Sequence, residues 1–387
     1  MKKNAAISAA MAAALTFVGG TALAQDAESG PFSAEDFQYG TQFDLPEGEQ
    51  PEIWNPAKRK LQAGGPLIGG TIRATDPRTY CSMANAGYDF TWVEMQHEAT
   101  EWEQVARMWR TCPDATAAPG VRLAYADERE IQHATDSGAL VVVVPTIDSV
   151  EEAQEAIDWT YFPPLGRRSA GGGQGTSEMW NEVPGGYRET WNANVVLVLM
   201  IETLQGVEAA RDIAKLDGVD ALFAASGDLG NFSGYEEGDP EYEGLISEVL
   251  AATEEAGIAA CGPLRWAERP GFSCFQAGTE AAAIRRGAEG EIQEAVTAFG
   301  QKSGAAEGAA TPTATIVADL TSQCGSIVYE ADCFAAVEDA MAAAADLPAE
   351  ELAAIGESLA AIVSDNPNHA DRIREIVTGS GVAIDNL

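Results

Sequence analysis

The chain of 387 residues carries 60 Asp and Glu against 23 Lys and Arg, for a formal net charge of −37. A surface so acidic repels nucleic acid and anionic membranes, so neither is an expected partner. Solvation in a salty medium accounts for the charge more simply than a cationic partner does.

In chain order, the first element is a leader. Lys2 and Lys3 precede the apolar stretch AAISAAMAAALTFVGG, and Ala22, Leu23 and Ala24 form a small-residue cleavage pattern. Residues 1–24 are therefore expected to be a signal peptide cut near Ala24, and the protein to be exported, periplasmic or secreted. The apolar core is short for a membrane anchor, and no later apolar run is long enough to span a bilayer. Residues 25–50 are polar, acidic and aperiodic, and read as a flexible arm. In an exported chain, Cys81, Cys112, Cys261, Cys274, Cys324 and Cys333 are candidates for disulfides. Spacing leaves the connectivity open; pairing of sequence neighbours (81–112, 261–274, 324–333) is the expectation. The lack of a CxxC argues against a thiolate zinc site.

From 51 to 300, short apolar runs alternate with helical patterns. The expected strands are PLIGGTIRAT, YDFTWVEMQ, APGVRLA, LVVVVPTI, NVVLVLMIET, ALFAASG, IAACGPL and AAAIRRG. EWEQVARMWR, SVEEAQEAIDW and GVEAARDIAKL are among the helices between them. LVVVVP and NVVLVLMI are apolar on both faces, as buried parallel strands must be. The fold class is therefore α/β, a (β/α)8 TIM barrel, with a doubly wound open sheet as the alternative. No GxGxxG follows the first strand, which weakens the dinucleotide-binding version of that alternative. Residues 301–314 form a small-residue linker. Residues 315–387 form a small C-terminal helical appendage, in which Leu352, Ile355, Leu359 and Ile362 recur at helical spacing after Pro348.

In a TIM barrel, chemistry occurs at the carboxyl ends of the strands. Strand two ends in Glu94, Gln96 and His97, strand three in Arg122, strand five in Glu202, and strand six in SGDL with Asp228. Any one of these is explained by a solvated charge or, for Asp228, a helix cap. Together, on separate strands of one barrel, they form a candidate site. Glu202 and Asp228 are hard oxygen ligands; with water and a chelating substrate they suit Mg²⁺, Mn²⁺ or Co²⁺. Arg122 can hold a carboxylate bidentately, and His97 can exchange a proton near neutral pH.

These residues and their surroundings resemble the HpcH/HpaI aldolase/citrate lyase family of metal-dependent (class II) pyruvate aldolases. The likeness runs from NPAKRKLQAGGPLIGGTIRATDP through YDFTWVEMQHE, PGVRLA, ATDSGALVVVVPTIDSVEEAQEAI, YFPPLGRRSAG and IETLQGVEAARDIAKLDGVDALFAASGDL. The resemblance implies a TIM barrel, a homo-oligomer with helix exchange between subunits, and small 2-oxoacid and aldehyde substrates. It implies a divalent metal on Glu202 and Asp228. Arg122 would stabilise charge on the keto oxygen, and backbone N–H groups around Gly227 and Asp228 would hold the carboxylate. His97 would act through a metal-bound water and the aldehyde hydroxyl, with Asp136 as its paired aspartate. Asp136 precedes strand four, at the wrong barrel end for direct catalysis, so it would act from a neighbouring subunit or not at all. The chain departs from the family pattern at Gln96 (a glutamate in the family), Met200 (a glutamine in some relatives) and Thr71 (often a tryptophan).

The function so implied is cleavage or formation of 4-hydroxy-2-oxoacids through a metal-stabilised enolate. The alternative is an exported, non-catalytic protein that binds a 2-oxoacid and a metal, which Gln96 and the appended tail would favour. A lyase for acyl-CoA substrates would need a basic pocket for the nucleotide, and none is evident in so acidic a chain.

Overall fold

The structure, a computed structural model, describes residues 49–171, 179–303, 312–324, 330–345, 347–367 and 369–384. The expected signal peptide and nearly all of the acidic arm lie outside the described residues, as does most of the expected linker.

Eight parallel strands close into a barrel in chain order. They are β1 (Leu67–Ile72), β2 (Phe90–Glu94), β3 (Gly120–Arg122), β4 (Val141–Val144), β5 (Val196–Ile201), β6 (Ala221–Ala224), β7 (Ala259–Pro263) and β8 (Phe272–Thr279). β1 pairs with β8 to close the ring. Helix α1 (Pro56–Gln62) precedes β1. The connections carry α2 (Pro77–Ala84), α3 (Trp102–Thr111), α4 (Glu128–Ser137), α5 (Val150–Thr160), α6 (Tyr187–Asn194), α7 (Leu204–Ile213), α8 (Ser226–Ser233) and α9 (Pro240–Ala256). β4 and β5 are buried at every residue, because helices cover the outside and packed side chains fill the inside.

One expected strand is wrong. AAAIRRG lies in α10 (Glu280–Ser303), and the eighth strand is FSCFQAGT. Alanine and arginine are strong helix formers, and nothing forces the Ala281–Gly287 segment into the sheet. The true strand has weaker apolar continuity but places Cys274 opposite Cys261 on β7.

The barrel interior is filled by large aromatics. Trp92 on β2 packs against Phe223 on β6, with ring centres 5.2 Å apart. Gly69 on β1 makes room for Phe90: a Cβ there would come within 2.3 Å of the phenyl ring. The disulfides are Cys81–Cys112, Cys261–Cys274 and Cys324–Cys333, with Cα separations of 5.6, 4.2 and 4.8 Å, the expected neighbour pairing. They tie α2 to the end of α3, β7 to β8, and the first two helices of the tail.

The chain divides into two compact units between Ala283 and Ile284. That boundary falls inside α10, which continues to Ser303, and so lies earlier than the expected linker at 301–314. The second unit contains α11 (Pro312–Cys324), α12 (Glu330–Ala344), α13 (Ala349–Asp365) and α14 (Ala370–Ser380). Leu320, Val337, Met341, Ile355, Leu359 and Ile373 form its own core. Among the described residues no helix is long and apolar enough to cross a membrane.

Candidate active site at the barrel mouth

The polar side chains at the strand ends are organised around Glu94 and Glu202. Glu94 is the last residue of β2 and is 1% exposed. Register places it beside Arg122 on β3. Arg122 is 7% exposed; its Nε donates to Glu94 Oε2 at 2.7 Å, and its Nη2 pairs with the same oxygen at 2.5 Å. The guanidinium also lies 5.9 Å from the centre of the Trp92 ring. Glu94 Oε1 accepts from the backbone N–H of Gln96 at 2.8 Å and of His97 at 3.1 Å. One buried carboxylate thus holds both the guanidinium and the turn that carries His97. Nη1 of Arg122 has no protein partner among the described residues and is available to a ligand.

Glu202 follows β5 and is 2% exposed. Its position is set by the start of α7. Thr203 caps that helix by accepting from Gly206 N–H at 3.0 Å, and its hydroxyl donates to Asp148. Thr146, just after β4, donates its hydroxyl to Glu202 Oε1. Oε2 is buried and has no hydrogen-bond partner. Burial pushes the Glu202 carboxyl above its usual range. The Thr146 hydroxyl opposes this, the charge of Asp228 adds to it, and Arg122 pulls it back. Glu202 therefore feels the charges of both Asp228 and Arg122.

Asp228 lies in the first turn of α8, which begins two residues after β6. No side chain caps this helix, so its first N–H groups are free to meet an anion. A Cβ at Gly227 would touch nothing, so this turn borders open space. Ser226 is anchored from below: Tyr242 donates to its carbonyl at 2.9 Å, and Arg265 to its hydroxyl at 2.9 Å.

The charges of Arg122 and Asp228 both reach Glu202 at this mouth. His97 sits on the adjoining turn; its ring is exposed and has no side-chain partner among the described residues. Asp136 is elsewhere. It lies near the end of α4, at the opposite end of the barrel from Glu202, and its carboxylate accepts from Gln132 at 2.7 Å and pairs with Arg168 at 2.9 Å. Arg168 is in turn stacked at 4.6 Å on both Phe162 and Trp191.

Two contributions escape sequence reasoning. Glu94 is legible as a strand-end acid, but its hold on Arg122 depends on β2–β3 register. Thr146 gives no signal beyond the proline that ends VVVVP. Its backbone is left-handed, with φ 50°, a strained conformation for a β-branched residue that turns its hydroxyl onto Glu202.

Residues 72–291 match the family described as HpcH/HpaI aldolase/citrate lyase. A hydroxypyruvate/pyruvate aldolase of Delftia acidovorans is 32% identical over 214 residues, covering 54% of this chain and 78% of that protein. A 4-hydroxy-2-oxo-heptane-1,7-dioate aldolase of Shigella sonnei is 28% identical over 207 residues, covering 53% and 79%. The crystal structure of an HpcH/HpaI aldolase/citrate lyase family protein from Burkholderia cenocepacia superposes with a TM-score of 0.56 at 26% identity, covering 62% of this chain and 99% of that one.

Proposed function

The chain belongs to the HpcH/HpaI aldolase/citrate lyase family, and we propose that it is a metal-dependent class II aldolase. It cleaves or forms 4-hydroxy-2-oxoacids, the products of cleavage being pyruvate or a related 2-oxoacid and an aldehyde. The observation that carries this reading is the buried, partnerless Oε2 of Glu202, within reach of the charges of Asp228 and Arg122.

The residues fit a divalent cation. Burial raises the cost of ionising Glu202, and the charge of the half-buried Asp228 adds to it. A hard cation on Glu202 and Asp228 relieves both. Among the described residues no third His, Cys, Asp or Glu completes a cluster, which suits Mg²⁺, Mn²⁺ or Co²⁺ finished by water and a chelating oxoacid. When bound there, the cation supplies Lewis acidity at the keto oxygen.

The protein's own groups do the rest. The N–H groups of Gly227 and Asp228 hold the oxoacid carboxylate. Arg122, clamped by Glu94, turns its remaining N–H groups to the keto oxygen, where negative charge develops. His97 removes the proton of the 4-hydroxyl. The C3–C4 bond breaks, and its electron pair passes through C3 to the keto oxygen as an enolate. The aldehyde leaves, and a proton returned to C3 completes the oxoacid. Asp136 would orient His97 only from a second subunit. The exposed Ile284, Ile292, Val296 and Phe299 of α10 support a homo-oligomer. Three disulfides support an exported, periplasmic or secreted location.

A second reading, an exported protein that binds a 2-oxoacid and a metal without turnover, is favoured by the partnerless ring of His97. The deciding experiment supplies 4-hydroxy-2-oxopentanoate and Mn²⁺ and follows pyruvate with a coupled dehydrogenase. Release that stops on chelation supports the aldolase. Binding of Mn²⁺ and pyruvate without any release establishes the second reading instead.

A further inference from the structure

Thr146 stands where a glycine or an asparagine would be the easier choice. Its φ is 50°, and a branched Cβ in that left-handed region is sterically disfavoured. Among the described residues no other non-glycine residue has a positive φ. Core packing does not require a threonine here, because Thr146 is exposed. What the residue does place is its hydroxyl, which donates to Oε1 of the buried Glu202.

The contacts on either side hold the turn. Ile147 is buried, and its N–H donates to the carbonyl of Met200 at 3.1 Å. Its own carbonyl lies so close to α7 that a Cβ at Gly206 would come within 2.7 Å of it. Asp148 accepts from the hydroxyl of Thr203 at 2.5 Å, and Thr203 caps α7. Residues 146, 147 and 148 are thus fastened in turn to Glu202, Met200 and Thr203. A strained residue persists only where its surroundings over-determine it, and such residues gather at ligand sites.

With Oε1 taken by the Thr146 hydroxyl, Oε2 is the carboxylate oxygen left without a partner, although it is buried. We propose that Thr146 is a positioning residue: its strained turn fixes the Glu202 carboxylate so that Oε2 is held ready for the divalent metal, at a cost in fold stability. This role rests on the metal site of the aldolase reading above. Without the hydroxyl, the carboxylate can turn about its own side-chain torsions, and the ligand must be ordered at the moment of binding. Hydrogen-bond partners of a metal ligand are commonly worth roughly 10–100-fold in affinity.

The test titrates Mn²⁺ into the metal-free protein by calorimetry and reads the metal-free melting temperature in parallel. Thr146→Val keeps the branched side chain and loses the hydroxyl. Thr146→Gly loses both the hydroxyl and the strain, and Thr146→Ser keeps the hydroxyl. Affinity for Mn²⁺ should fall at least about tenfold in Thr146→Val and Thr146→Gly, and stay within about threefold of the wild type in Thr146→Ser. Thr146→Gly should nevertheless melt above Thr146→Val, since glycine adopts this φ freely. A residue that only braces the fold would instead lose affinity in step with melting temperature. Three results overturn the role and leave the metal site standing: Mn²⁺ bound by Thr146→Val as by the wild type, Thr146→Ser as weak as Thr146→Val, or Thr146→Gly melting below Thr146→Val. A wild type that takes up no Mn²⁺ removes this role and the metal-dependent reading together.

Discussion

Removing the Arg122 side chain should destabilise the barrel, because it strands a buried charge. In Arg122→Met, Glu94 remains 1% exposed and loses the two guanidinium contacts to Oε2 at 2.7 and 2.5 Å. Trp92 Nε1 at 3.4 Å is then the nearest donor to that oxygen. Breaking a buried ion pair from one side costs about 3–5 kcal/mol. The amides of Gln96 and His97 still serve Oε1, which puts the expected cost near the lower figure, about 3 kcal/mol. At roughly 2–4 °C per kcal/mol for a unit of this size, the melting temperature should fall by about 6–12 °C. In Glu94→Gln/Arg122→Met both charges are gone and the amide acceptor is kept. Such replacement is close to neutral, so the double variant should recover most of the loss. All eight tryptophans lie between Trp54 and Trp266, so tryptophan fluorescence follows the barrel and not the helical tail. A single variant that melts within about 2 °C of the wild type, where about 6 °C or more is expected, refutes the reasoning. So does a double variant that melts no higher than the single.

Other outcomes follow from the same geometry. Glu202→Ala and Asp228→Ala should each abolish Mn²⁺ binding by calorimetry, whereas His97→Ala should keep it and slow cleavage by roughly 10²–10⁴-fold, the usual size of a general-base contribution. Because the Glu202 carboxyl is raised above 4.5 by burial, opposed by Thr146 and reinforced by Asp228, protons should compete with Mn²⁺ at pH values above the ordinary glutamate range. The sign for stability is the reverse of a salt-bridged acid: without metal, the folded state favours protonated Glu202, so that contribution is present at low pH and lost as pH rises through the raised pKa. Glu202→Gln should therefore raise the metal-free melting temperature at neutral pH, and the gain should shrink as the pH falls toward 4.5. Cys81→Ala/Cys112→Ala opens a loop of sequence separation 31 and should cost about 3–4 kcal/mol by chain entropy, read from the same fluorescence melts. Aspartate at Ile292 and Phe299, both exposed on α10, should reduce the particle size in light scattering if that face joins subunits.

Much of the barrel is legible in sequence because buried parallel strands are apolar on both faces. VVLVLMI followed by Glu202 can hardly be anything but a core strand with a charge at its mouth. The eighth strand was hidden by Ser273, Gln276 and Gly278, which break its apolar run, while the neighbouring alanines belong to a helix. Site residues were legible by type and position, since strand ends at one face of a barrel must converge. Their contacts were not. The clamp of Glu94 on Arg122 needs the register, and the left-handed turn at Thr146 needs tertiary packing to hold it. Asp136 shows the same limit: its place on α4 can be read, but its pairing with Arg168 comes from a loop that passes the base of the barrel.

The most direct measurement is proton NMR of pyruvate in heavy water with the protein and Mn²⁺ at catalytic concentration. Enolate formation should replace the methyl protons by deuterium without any aldehyde present. Exchange should cease on chelation and in Glu202→Ala. Pyruvate that binds beside the metal yet keeps its methyl protons would contradict an enolate-forming site at this barrel mouth.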